Sequence, residues 1–92
     1  MSYRLEFEKK ARRQLAKLAR RNPHIAKDIY AKIMWLVENA DAIDHERLRG
    51  RKENSLHCGQ YRIPYRRDTQ GRVIIIEDID KHDKTYRRLK RR

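Results

Sequence analysis

The sequence contains little cysteine, glycine or proline and no long apolar run. Cys58 is the only cysteine among the 92 residues, which excludes an internal disulfide framework and a multi-cysteine zinc site. No stretch approaches the ~18 apolar residues that a membrane-spanning helix needs, and no apolar signal-peptide segment follows the start. These absences predict one small cytoplasmic domain, residues 1–92, that crosses no membrane.

Acidic residues are also scarce compared with basic ones. The chain has 13 Asp and Glu against 25 Lys and Arg, a formal net charge of +12 at pH 7. Such an excess repels itself and favours an anionic partner, of which nucleic acid is the commonest. The alternative is a solvated basic face that only keeps the protein in solution, but this does not explain why acids fail to balance the bases.

The first half of the chain predicts a strand followed by two helices. Apolar and charged residues alternate over residues 2–7, as in a half-buried strand. The spacing then becomes helical, and Asn22 with Pro23 marks the start of a second helix, as N-cap and first-turn residue. Both helices have an apolar stripe: Ala11, Leu15, Leu18 and Ala19 in the first, and Ile25, Ile29, Ile33, Leu36 and Ala40 in the second, widened by Tyr30, Met34 and Val37. Together they predict an antiparallel helical hairpin.

A β-hairpin is predicted around Gly59-Gln60, with strands over residues 55–58 and 61–66 and a type II′ turn. This register places Leu56 opposite Ile63 toward the core and His57 opposite Arg62 on the other face. Pro64 cannot donate to a ladder, so it should mark a bulge or an unpaired position.

The last predicted strand covers residues 72–78. Its four consecutive β-branched residues, 73–76, indicate a central strand buried on both faces. Residues 41–54 are predicted as a loop and residues 80–92 as a charged tail, for which a helix is one option. The expected fold is α+β: a small, mainly antiparallel sheet with the helical hairpin on one face, in the order β-α-α-β-β-β.

The candidate site residues suit the cleavage of RNA. The chain has no glycine-rich phosphate loop, no HExxH or GxSxG motif and no histidine spacing typical of metal ligands. Cleavage of RNA without a metal needs a base for the 2′-hydroxyl, cations for the phosphate and an acid for the leaving oxygen. His57 and Arg62 are predicted cross-strand neighbours, and His82 and Tyr86 would share one face of a helical tail. Alternatively, His57 is a solvated surface residue and Tyr86 only anchors the tail.

The segment His57-Cys58-Gly59-Gln60-Tyr61-Arg62-Ile63-Pro64-Tyr65 resembles the G-x-Y-R-x-x-Y signature of RelE/ParE toxins from bacterial type II toxin–antitoxin systems. The strand over residues 73–78, the basic and histidine-containing turn after it, and Tyr86 are similar to the last strand and C-terminal tyrosine of these toxins. The opening Tyr3–Phe7 segment before a basic helical hairpin also fits, so the resemblance covers nearly the whole chain.

Resemblance to the RelE branch implies a ribosome-dependent endoribonuclease that cuts mRNA by 2′-hydroxyl attack, with no metal or other cofactor. It implies that Arg62 binds phosphate and that Tyr86 is the C-terminal tyrosine of the site. With His57 and His82 these form the catalytic candidates, while the candidates for binding RNA or the ribosome are Arg51, Lys52, Lys81, Lys84, Arg87 and Arg88. RelE has several lysines in the first hairpin strand, where this chain has Glu53, Ser55 and His57, so the general base stays open.

The resemblance also implies an antitoxin partner, which for so cationic a chain should be acidic and amphipathic. Two other functions remain as alternatives. One is a ParE-like inhibitor that binds DNA gyrase and has no nuclease site. The other is plain RNA binding through charge, in which no single side chain matters much.

Overall fold

A computed structural model describes residues 3–45 and 54–81 of the chain. The predicted β-α-α-β-β-β order is present, and one short additional strand follows it. The elements are β1 (Arg4–Phe7), α1 (Lys9–Arg21), α2 (Pro23–Asn39), β2 (Asn54–Cys58), β3 (Tyr61–Asp68), β4 (Val73–Ile76) and β5 (Asp80–Lys81). The charged tail was predicted over residues 80–92; its first two residues form β5 instead, and residues 82–92 lie outside the described residues, as do residues 46–53 of the predicted loop.

The strands form one sheet in the order β1-β4-β3-β2, with β5 also paired to β3. The β1–β4 pair is parallel and the other pairs are antiparallel, so the prediction of a mainly antiparallel sheet is confirmed. β4 is central, as predicted, and Ile74 and Ile76 are fully buried toward the helices. Ile75 is only partly buried, because the helices cover one face of the sheet and Ile75 points to the other. The expectation of burial on both faces is therefore wrong at Ile75.

The helical hairpin is joined at Asn22, which ends α1 and caps α2. The Asn22 side-chain oxygen accepts from the Ile25 N–H at 3.5 Å, and Pro23 occupies the first turn, as predicted. The α2 stripe enters the core at Ile29, Ile33 and Leu36, all with no exposed surface. Tyr30 was expected to widen this buried face but is 48% exposed, because one residue along a helix rotates about 100° away from the stripe.

The β2–β3 hairpin has the predicted register, with Leu56 opposite Ile63 and His57 opposite Arg62. Gly59 has φ +58°, whereas Gln60 does not have a positive φ, the combination that a type II′ turn requires. Leu56 and Ile63 are buried and His57 is exposed, so the apolar and polar residues lie on opposite faces of the hairpin, as predicted.

Pro64 lies at an interruption in the pairing along β3. On the side away from β2, β3 pairs with β5 through residues 61–62 and with β4 through residues 65–68. Hydrogen-bonded and non-hydrogen-bonded pairs alternate from the turn. The nitrogen of Pro64 therefore points to this side, at the position where β3 changes its partner from β5 to β4. Pro64 is therefore neither at a bulge nor unpaired: it lies opposite Ser55 of β2, and its carbonyl accepts from the Glu77 N–H at 2.9 Å. Its missing N–H is tolerated because the nitrogen faces the point where β3 changes partner.

The C-terminal end of α2 is held by a side-chain network. The carbonyl of Ala40 accepts from His45 Nε2 at 2.7 Å and from Arg67 Nη1 at 3.1 Å, satisfying a group that a helix end leaves without a partner. His45 Nδ1 contacts the hydroxyl of the buried Tyr65. Burial raises the pKa of Tyr65 to about 12, so this hydroxyl keeps its proton and can donate it to the imidazole.

A second clasp centres on Asp41, just after α2. Its carboxylate accepts from the Tyr3 hydroxyl at 2.9 Å and from Arg72 Nη2 at 2.9 Å. The Arg72 guanidinium also lies 4.4 Å from the centre of the Tyr3 ring, a cation–π distance. The hydrogen bonds from Arg72 and Tyr3 lower the pKa of Asp41. This clasp joins the start of β1, the end of α2 and the approach to β4.

No helix in the described parts of the chain is long and apolar enough to span a bilayer.

The lowered pKa of Asp41 predicts a specific acid dependence of stability. A carboxylate with a depressed folded-state pKa contributes stability above its ordinary pKa, and this contribution is lost as the pH falls through the folded-state pKa. We expect Asp41→Asn to lower the free energy of unfolding at pH 7, and this deficit to shrink between about pH 5 and pH 2. Urea denaturation across that range measures the effect. Asp44→Asn, which removes an exposed carboxylate from the same loop, is the control; identical pH profiles for the two variants would contradict a role for the clasp.

Candidate functional site

The face of the β2–β3 hairpin that points away from the helices, called the open face below, carries a histidine–arginine pair. His57 and Arg62 are directly opposite each other next to the two-residue turn. Arg62 Nε lies 3.2 Å and Arg62 Nη2 3.0 Å from His57 Nε2. By alternation from the turn, they form a non-hydrogen-bonded backbone pair, whose Cα atoms approach more closely than in the other type of pair. The prediction that these two residues are cross-strand neighbours is confirmed. Their side chains are also in direct contact.

The geometry of this contact decides the state of the imidazole. Arginine has only donors, so His57 Nε2 must accept, and the ring proton must then be on Nδ1. The imidazole is neutral in this arrangement, and its Nε2 lone pair is directed at the guanidinium. His57 therefore holds Arg62 in position, and Nε2 is not available to a second proton while the contact lasts.

Strand β5 lies beside Arg62 and was not predicted. Asp80 is opposite Arg62, and Lys81 is opposite Tyr61. Ile79 anchors the approach to this strand: it is buried, and its N–H donates to Gln14 Oε1 of α1 at 2.9 Å. Because Asp80 is directly opposite Arg62, the two side chains lie on the same face of the sheet. Asp80 is only 9% exposed. The only sequence signal was Ile79 between two aspartates, an alternation too short to distinguish a strand from a tail.

The other arginines of β3 have structural partners. Arg66 shares the open face with Arg62 but bridges two carboxylates, Glu8 Oε1 at 2.8 Å and Glu77 Oε2 at 3.0 Å. Arg67 points to the helix face and donates to Ala40. The Arg66 bridges join the segments that follow β1 and β4 to β3, a structural role that the sequence analysis did not predict.

Cys58 and Lys81 lie on either side of Tyr61 at the hairpin end of the sheet. Cys58 is partly buried against the core, and burial raises the pKa of its thiol, which suits a packing residue better than a nucleophile. Lys81 is exposed, and its contact with an anionic partner stays a prediction. Within residues 3–45 and 54–81, no three His, Cys, Asp or Glu side chains are close enough to hold a metal ion.

Several predicted site residues lie outside the described residues, so their roles stay predictions. They are the catalytic candidates His82 and Tyr86 and the binding candidates Arg51, Lys52, Lys84, Arg87 and Arg88. The structure does place β5, the strand that leads directly into His82 along the chain, against the strand that carries Arg62.

This fold and this hairpin define a small toxin domain of the RelE/ParE type. A family profile described as ParE toxin of type II toxin-antitoxin system, parDE, matches residues 5–86. The chain therefore belongs to the ParE toxin family and is a toxin of the type II toxin–antitoxin class. No protein of curated function matches the sequence.

Solved structures agree with this assignment at the level of the fold. The toxin–antitoxin complex RelBE2 from Mycobacterium tuberculosis is similar with 25% identity and a TM-score of 0.71, covering 88% of this chain and 99% of that chain. The intact E. coli RelBE complex is similar with 19% identity and a TM-score of 0.73, covering 87% and 96%. The chromosomal ParDE system of P. aeruginosa is similar with 18% identity and a TM-score of 0.70, also covering 87% and 96%. Structures from both the RelE and the ParE branch thus share this architecture.

The contact between His57 and Arg62 can be tested without an activity assay. His57→Phe removes the acceptor, so we expect the Arg62 guanidinium to gain mobility, while the free energy of unfolding changes by less than about 0.5 kcal/mol at this exposed position. NMR relaxation and hydrogen exchange at Arg62 Nε measure the change. His57→Gln, which keeps an acceptor, should retain most of the order. An unchanged Arg62 Nε signal in His57→Phe would show that the imidazole does not hold the guanidinium.

Proposed function

We propose that this toxin is an endoribonuclease that cleaves mRNA on the ribosome, without a metal, and so inhibits translation in the cytoplasm. The observation that supports this best is the placement of Arg62. Its guanidinium lies on the open face of the sheet, in contact with the His57 imidazole, and β5 is paired alongside. Guanidinium offers paired donors that match phosphate oxygens.

The chemistry assigns Arg62 to the scissile phosphate. Attack by the 2′-oxygen forms a new P–O bond and breaks the bond to the 5′-oxygen, while negative charge grows on the non-bridging oxygens. A fixed guanidinium stabilises this charge more than the ground state, which is the condition for catalysis. His57 acts as a positioning residue: it holds the guanidinium until the phosphate takes over the donors.

The two proton transfers need groups other than the engaged Nε2 of His57. One group removes the 2′-hydroxyl proton, and another supplies a proton to the leaving 5′-oxygen. We assign these roles to His82 and Tyr86 without deciding which acts as base. The support is that β5 pairs with residues 61–62 of β3 and continues directly into His82.

The remaining candidates contact the message or the ribosome. Lys81 is exposed at the hairpin end of the sheet, and Arg51, Lys52, Lys84, Arg87 and Arg88 extend the basic set in the sequence. Phosphate contacts of this kind position a protein on RNA and make binding strongly dependent on salt.

We also assign this chain a cognate antitoxin. The solved RelBE2, RelBE and ParDE structures come from toxin–antitoxin systems, and the net charge of +12 favours an acidic partner.

Replacement of Arg62 is the sharpest test of the nuclease. We expect Arg62→Ala to slow mRNA cleavage by about 10²- to 10³-fold, the loss typical of one donor to a developing oxyanion, and to leave ribosome binding within about twofold. End-mapping of messages in a coupled translation reaction gives the rate, and co-sedimentation gives the binding. Arg20→Ala removes one exposed positive charge from α1 and should leave cleavage nearly unchanged. Equal losses in the two variants, or parallel losses of cleavage and binding, would reduce Arg62 to a docking charge.

Inhibition of DNA gyrase is the second candidate function, and the match to the ParE toxin family favours it. The two functions differ in a simple experiment. The purified chain is added at one concentration to a plasmid supercoiling reaction with gyrase and to a coupled translation reaction. A nuclease cuts messages and leaves supercoiling intact, whereas a gyrase inhibitor blocks supercoiling and leaves message ends unchanged. Heat-denatured protein controls for non-specific binding of a cationic chain to DNA and RNA.

A further inference from the structure

A small pocket lies between α2 and β2, at the opposite end of the sheet from β1. Trp35 and Lys32 of α2 line one side of it, and Ser55, Leu56 and His57 of β2 line the other. Consecutive side chains of a strand point to opposite faces, so a pocket bordered by three consecutive residues runs along the outer edge of β2. Its volume is about 240 Å³, which suits a single ring system better than a larger ligand.

Trp35 gives this pocket an exposed aromatic ring. It is the only tryptophan of the chain and is 42% exposed. Lys32 Nζ lies 4.5 Å from the centre of the indole ring, a cation–π distance. An aromatic ring with an ammonium group beside it offers a stacking surface for a base and a positive charge for the phosphate attached to that base.

Ser55 adds a hydroxyl whose hydrogen-bonding capacity is unused. Ser55 is only 8% exposed, and its Oγ has no hydrogen-bond partner among the described residues. Leaving a buried hydroxyl unsatisfied is costly. The N–H and carbonyl of Ser55 point away from β3, because its pair with Pro64 is a non-hydrogen-bonded one. These three groups can donate to and accept from the polar edge of a flat ligand.

The charge and the chemistry of the pocket select its occupant. The net charge of +12 attracts a polyanion and opposes a second copy of this chain. Single-stranded RNA presents unpaired bases, whose faces stack on aromatic rings and whose edges form hydrogen bonds, whereas a duplex keeps its bases inside. Asp44 also lines the pocket, and a carboxylate accepts from an amino group such as N4 of cytosine.

We propose that this pocket binds one unpaired base of the message, stacked on Trp35 with its polar edge at Ser55. His57 links the pocket to the candidate site, since it lines the pocket and its Nε2 lies 3.0 Å from Arg62 Nη2. The bound base therefore belongs to a nucleotide near the scissile phosphate and keeps the strand in position for Arg62. That the RNA is a message rests on the proposed function, whereas the pocket rests on Trp35, Lys32 and Ser55.

The single tryptophan makes the pocket directly observable by fluorescence. The probe is a six-nucleotide cytidine RNA with methylated 2′-oxygens, which blocks 2′-attack, added to the full-length chain. Stacking of a base should quench the fluorescence of Trp35 saturably. An oligomer of the same length and charge that carries abasic sugars should quench little at any concentration. Equal quenching by the two oligomers would overturn the proposal, because charge alone would then explain the binding.

Anisotropy of the labelled cytidine probe compares the variants, and circular dichroism confirms that each is folded. Trp35→Leu removes the stacking surface and should weaken binding about tenfold. Tyr30→Leu makes the same exchange at a comparably exposed aromatic residue of α2 that does not line the pocket, and binding should stay within twofold. Ser55→Ala should weaken binding about threefold without lowering the urea midpoint, because its Oγ has no bond to lose within the described residues. Equal weakening by Trp35→Leu and Tyr30→Leu would overturn the proposal.

None of these measurements involves cleavage, so the pocket and the nuclease can fail separately. A chain that binds the probe through Trp35 and cuts no message keeps the pocket and loses the proposed nuclease function. A chain whose cleavage of messages and affinity for the probe are unchanged by Trp35→Leu keeps the nuclease and loses the pocket.

Discussion

Leu56, Ile63 and Ile74 are buried beneath the helical hairpin, and this burial forces their neighbours along the strands onto the opposite face. Burying one such side chain stabilises a protein by about 1.5 to 3 kcal/mol, whereas an exposed polar contact contributes about 1 kcal/mol or less. The core therefore sets the register of β2 and β3. The contact of His57 with Arg62 is a consequence of that register, because a slip by one residue would bury both side chains.

The open face then divides into two regions along β3. At the hairpin end, Arg62 meets His57 and lies opposite the buried Asp80. Beyond the interruption at Pro64, Arg66 is held by Glu8 and Glu77. Guanidinium groups of equal intrinsic chemistry thus have different neighbours: that of Arg66 is bound by two carboxylates as a structural bridge, and that of Arg62 contacts an imidazole.

Part of the positive charge is paired with acidic residues of other segments. Near the clasp at Asp41 and the bridge at Arg66, acids and bases are paired and join distant segments of the chain. α1 itself contains no acidic residue, and its Lys10 is paired with Asp78, which follows β4, at 3.1 Å. The excess of positive charge over the whole chain favours an acidic partner.

The sequence by itself determined the element order, the helical hairpin with its cap at Asn22, the II′ turn at Gly59 and the pairing of His57 with Arg62, because these depend on local spacing, backbone preferences and alternation. It also pointed to the toxin family through the residues around Arg62. Only the tertiary structure decided that β5 pairs beside Arg62, that Arg66 is bound by two carboxylates, that Tyr30 and Ile75 stay partly outside the core, and that β1 pairs in parallel with β4. These features depend on which segments meet across long sequence separations, and a local pattern of residue types does not encode that meeting.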